Sequence, residues 1–133
     1  MSYDAEYVRA CIVNSSRHVH RAEAKKLLEA LRSGFPTTGR VRIAEFADDD
    51  PLEAKLVRSD EDGSGRYARL AWDDSALRLR LWTGGTGRDS EDEHEVPLEW
   101  DCLGPRWIGR RPNGEVINGT WPVIERMMEL LTA

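Results

Sequence analysis

Apolar residues recur along this chain with two different periods, and each period marks a different kind of element. Between residues 17 and 33, Ala24, Leu27, Leu28 and Leu31 fall three and four positions apart, which puts them on one face of an amphipathic helix. Asn14, Ser15 and Ser16 offer side-chain oxygens to cap its start, because the first amide groups of a helix have no partner within it. Gly34 is expected to close it in the left-handed conformation, and Pro36 cannot continue it.

From Arg40 the period falls to two. Val41 and Ile43 alternate with Arg40 and Arg42, a second short run covers residues 53–58, and acidic turns at 48–51 and 60–63 bound it. Such alternation is the mark of strands with one dry and one wet face. The clearest unit covers residues 67–82, where two runs flank Asp73, Asp74 and Ser75 as a hairpin. Leu77, Leu79 and Leu81 share one side of it, and Arg78, Arg80 and Trp82 the other; on the partner strand Ala68, Leu70 and Trp72 alternate with Tyr67 and Arg69.

The remaining segments carry weaker patterns. Residues 5–13 are apolar without a clear period and fit a buried strand or one arm of a longer helix, the strand being the favoured reading. Residues 83–95 combine glycines with a dense acidic run, which predicts a flexible loop. Residues 100–108 read as extended, and Arg111-Pro112-Asn113-Gly114 is turn chemistry that makes a last hairpin. A C-terminal helix over 121–131 begins near Thr120, with Pro122 in its first turn and Val123, Ile124, Met127, Met128, Leu130 and Leu131 on a broad apolar face. The whole predicts one α+β domain across 1–133: an antiparallel sheet of about five strands, packed on one face by the helix at 17–33 and the C-terminal helix.

Composition supports a folded chain, since 40% of the 133 residues are hydrophobic and five are tryptophan, more apolar material than a disordered chain carries. No apolar run approaches the roughly 20 residues that cross a bilayer, and the start has no basic stretch followed by an apolar one, so neither a membrane span nor a signal is expected. Cys11 and Cys102 fit no metal or redox spacing and read as reduced thiols, with a disulfide as the minority reading, which points to a cytoplasmic protein. The net charge of −5 argues against a protein that coats nucleic acid along its length.

Distribution of charge changes the picture more than its total. If the strands are neighbours, Arg40, Arg42, Lys55, Tyr67, Arg69, Arg78, Arg80 and Trp82 lie together on the wet face of the sheet. Rings and guanidinium planes that stack on bases while charge meets phosphate are what single-stranded nucleic acid requires, and the same array suits an acidic protein. The plain alternative is that a sheet covered on one side exposes the other, and arginines solvate it. His18 and His20 would share a metal only on a strand; on a helix they diverge, and both are expected at its surface. His94 sits in an acidic stretch and is expected to be solvated. Gly84-Gly85-Thr86-Gly87 lacks the lysine and helix of a phosphate loop and reads as a linker.

No nucleophile motif, metal site or cofactor site is legible. The expected function is a small non-enzymatic binding module acting by protein–protein contact. The alternative is binding of single-stranded nucleic acid or another polyanion on the arginine face, and a third reading is an enzyme with an unrecognised carboxylate site. Surplus apolar surface on the C-terminal helix would serve a dimer; the sequence leaves the oligomeric state open.

Overall fold

The computed structural model describes residues 4–14, 17–35, 40–44, 52–61, 63–85, 87 and 90–132. Among these residues there are three helices, α1 (Ala5–Asn14), α2 (Arg17–Gly34) and α3 (Thr120–Thr132), and eight strands in chain order: β1 (Val41–Ile43), β2 (Glu53–Ser59), β3 (Gly65–Asp73), β4 (Arg78–Gly85), β5 (Asp92–His94), β6 (Glu99–Asp101), β7 (Arg106–Arg110) and β8 (Val116–Asn118). The chain is α+β, with an antiparallel meander β1-β2-β3-β4-β5 and a second sheet, β6-β7-β8, that the single-sheet expectation did not include. No helix among the described residues is long and apolar enough to cross a membrane.

The period-two pattern places the core. Leu56, Leu70 and Leu81 come from three adjacent strands, with Leu70 directly opposite Leu81 and Leu56 opposite Ala68, and all four are completely buried. Leu28 and Leu31 of α2 and Val123, Met127 and Leu131 of α3 complete the cluster. Each large side chain removed from water in this way stabilises the fold by roughly 1.5–3 kcal/mol before the entropy of ordering it is subtracted. Arg58 lies on the helix side of β2 and donates from Nη1 to the carbonyl of Leu131 at 2.7 Å, satisfying an acceptor that the end of α3 leaves open.

Several expectations are corrected. Residues 5–13 belong to helix α1, not a strand, because Asp4 caps it: the amide of Tyr7 donates to Asp4 Oδ1 at 2.7 Å and that of Val8 to the Asp4 carbonyl. Gly34 is the last residue of α2 without entering the left-handed region, while Gly63, Gly87 and Gly114 do have positive φ. Residues 100–108 are not one extended run. Asp101 accepts amide bonds from Leu103 and Gly104, turning the chain between β6 and β7. Leu77 leaves the strand and takes a positive φ of 53° in the β3–β4 turn, where Asp73 Oδ1 collects the amides of Ser75 and Ala76.

The largest correction concerns residues 83–95. Thr83, Gly84 and Gly85 continue β4, and Asp92, Glu93 and His94 form the edge strand β5 against it. His94, expected in solvent, is half-buried with Nε2 2.7 Å from Thr83 Oγ1. Gly84 is buried rather than a linker: a Cβ there would overlap Tyr67 Oη and Cζ, so the glycine leaves room for the tyrosine ring across the ladder. Residues 86, 88 and 89 of the predicted loop, together with the predicted cap at Ser15 and Ser16, Pro36 and the acidic turn at 48–51, lie outside the described residues.

Cys102 is disulfide-bonded, against the expectation of reduced thiols. His18 is exposed on α2 as expected, but His20 is buried and stacks on Trp100 with ring centroids 4.1 Å apart.

Candidate functional site

Strand register decides what the wet face holds. Lys55 pairs with Arg69, Arg69 with Trp82, and Trp82 with Glu93, so these side chains form one row across four strands on the side away from α2 and α3. A second row runs from Glu53 through Ala71 to Arg80. Tyr67 faces Gly84, Asp73 faces Arg78, and Arg42 of β1 faces Val57.

The contacts within this face are dense. The guanidinium of Arg69 lies 4.2 Å and that of Arg80 5.1 Å from the Trp82 ring centroid, and Lys55 Nζ sits 4.1 Å from that of Tyr67. Arg69 grips Glu91 in a fork, Nε to Oε2 at 3.1 Å and Nη2 to Oε1 at 2.9 Å. Tyr67 Oη donates to the same Oε2 at 2.9 Å. Arg80 grips Glu93 with both bonds at 2.6 Å, and its Nη1 reaches Asp73 Oδ2 at 3.2 Å. Arg69 Nε also lies 3.7 Å from Glu53 Oε1. Paired forks of this kind are the stronger class of charge-assisted bond.

Of the residues expected on this surface, Lys55, Tyr67, Arg69, Arg80 and Trp82 are brought together. Arg78 is exposed at the start of β4. Arg40 precedes β1 and pairs with Glu61 at 2.5 Å, away from the cluster, and Arg42 is exposed on the edge strand. The acidic partners were missed. The signal that could have found them is the alternation of Glu91, Glu93 and Glu95, which repeats the strand period within a stretch taken for a loop.

The electrostatics follow the geometry. The bonds from Arg69 hold Glu91, and those from Arg80 hold Glu93, below the usual carboxylate range, while both guanidinium groups are raised by the same pairs. Asp73 falls from the ordinary 3.8 to about 2, first through the Ser75 hydroxyl and the Ala76 amide and also through Arg80. Groups whose folded pKa is depressed add stability that is present above the unfolded pKa and is lost as pH falls through the folded one. The thermal midpoint is therefore expected to drop as pH is lowered from about 4.5 to about 2. Asp73→Asn should be less stable at pH 7 and should flatten that drop. Calorimetry across the window checks both; a variant whose midpoint falls in parallel with the wild type would remove Asp73 from the account.

A second feature lies on the small sheet. Tyr7 of α1, Trp100 of β6, Ile108 of β7 and Val116 of β8 line a cleft of about 260 Å³, with Leu103 of the β6–β7 turn and the paired Glu99 and Arg110 also on its walls. Among the described residues the exposed large apolar side chains are Val8, Leu103, Val116 and Trp121, and two of these four line this cleft. Among the same residues no cluster of three or more histidine, cysteine, aspartate or glutamate side chains is placed to hold a metal ion. Compared with known proteins, the chain matches no family model, no curated protein and no solved structure.

Proposed function

We propose that this protein is a binding module that works by protein–protein contact, and that it docks its partner on the cleft of the small sheet. One observation carries the reading: Leu103 and Val116, 57% and 42% exposed, line the same concave surface as Tyr7, Trp100 and Ile108. An apolar centre with aromatic residues, bordered by charged pairs such as Glu99 with Arg110 and Asp101 with Arg106, has the anatomy of an interface rather than of a solvated surface.

The other readings draw less support. On the meander face, Arg69 and Arg80 already fork carboxylates and lie over the Trp82 ring, so a nucleic acid would have to displace intramolecular pairs before reaching charge or ring. A carboxylate that serves as a general acid near neutral pH needs a raised pKa, and Asp73, Glu91 and Glu93 are shifted the other way. The cytoplasmic placement rested on reduced thiols; with Cys102 oxidised that support is gone, and the proposal holds for whichever compartment keeps the bond.

The test is comparative affinity capture from the native extract followed by binding measurements on the protein recovered. Leu103→Glu and Val116→Glu are each expected to weaken that complex by about tenfold or more, as buried interface anchors do, whereas Glu29→Lys on the exposed side of α2 leaves it unchanged. Retention of full affinity by both cleft variants would end the assignment of the interface to this cleft.

A further inference from the structure

We propose that strand β5 is a built-in occupant of a site for an acidic extended peptide, which takes its place along β4 with carboxylates two residues apart. This surface is separate from the cleft of the small sheet and stands on different observations.

The receptor half of the site is organised without β5. Trp82 supports both guanidinium groups from β4, Glu53 holds Arg69 from β2, and Asp73, itself fixed by the Ser75 and Ala76 amides, holds Arg80. Lys55 over the Tyr67 ring extends the positive row. Guanidinium groups held in place lose little freedom when they meet a carboxylate, which favours binding there.

The occupant half is slight. β5 has three residues, two exposed and one half-buried, and it meets β4 at only three positions, Leu81 with His94, Trp82 with Glu93 and Thr83 with Asp92. Its side-chain hold includes Glu93 on Arg80 and His94 on Thr83, and just before the strand Glu91 meets Arg69 and Tyr67. An incoming strand of pattern Glu-x-Glu would restore the backbone ladder and both forks, as strand addition at a sheet edge does. Two groups two positions apart on a strand face the same side, which is how Glu91 and Glu93 meet arginines on adjacent strands. The cis segment competes at high effective concentration, so the site is closed in the isolated protein and opens when its carboxylates are removed.

The probe is a fluorescent peptide with the sequence of residues 90–95, titrated at low salt into the wild type and into the Glu91→Ala/Glu93→Ala variant, with anisotropy as the readout. The variant is expected to bind it about tenfold tighter or better than the wild type, since the tethered competitor is gone. The same peptide with glutamine at its two arginine-facing positions should bind at least about tenfold weaker. Adding Arg69→Ala and Arg80→Ala to the variant should abolish binding. Because β5 contains no fully buried side chain the variant should fold, as circular dichroism would verify, and Glu91→Gln/Glu93→Gln serves as the near-isosteric second variant. Equal affinity of variant and wild type, no discrimination against the glutamine peptide, or tighter binding of a single-stranded oligonucleotide of equal length than of the acidic peptide would each overturn the proposal, the last in favour of a nucleic acid.

Discussion

Replacing Trp107 with alanine is expected to lower the free energy of unfolding by about 3 kcal/mol, near the low end for a tryptophan truncation because the residue is half-buried. Trp107 joins parts of the molecule that are remote in sequence. Its ring meets Trp100 at 5.0 Å, His20 at 5.7 Å and Trp72 at 6.3 Å between centroids, mostly edge-on, a geometry favourable beyond area alone. Its Nε1 donates to the His20 carbonyl on α2 at 3.2 Å. Small sheet, helix and meander therefore share this side chain. Trp107→Phe keeps most of the contact area and gives up the hydrogen bond, so about 1 kcal/mol is the expected loss. Urea unfolding followed by circular dichroism, with the slope compared between variants, measures both. A loss below about 1 kcal/mol for the alanine variant would mean that the small sheet is held mainly elsewhere.

Gly109→Ala is expected to be nearly as damaging, about 2–3 kcal/mol, for the opposite reason of excess volume. The β7 backbone passes so close to the first turn of α3 that a Cβ at position 109 would collide with Pro122 Cγ and lie 3.2 and 3.3 Å from its Cβ and Cδ. A proline ring cannot rotate out of the way, so strand or helix must shift, and the shift passes to Val123, which is completely buried. The double variant Gly109→Ala/Pro122→Ala removes the obstructing ring atoms and should recover more than half of the loss. Strict additivity in that double-mutant cycle would show that the two residues do not collide.

The pattern of apolar positions was enough to locate α2, α3 and strands β2 to β4, because a helix face or a strand face repeats with a period set by backbone geometry alone. It also placed Tyr67, Arg69, Arg80 and Trp82 on a common side. Helix α1 was missed for want of a period, although Asp4 and Glu6 at its start were readable as capping chemistry. The edge strand β5 was missed because composition outweighed alternation: acidic residues are poor strand formers unless cations lie opposite them.

What the sequence determined by itself is which residues alternate, and hence which side of each ribbon is dry. What only the tertiary structure decided is who meets whom: that Glu91 finds Arg69 22 positions away, that Trp107 lies against His20 across 87, and that a second sheet forms with a cleft of its own. Alternation is local, fixed by the bonds between neighbouring residues. Pairing depends on strand order and register, and those depend on the free energy of the whole core, in which no single residue records its partner.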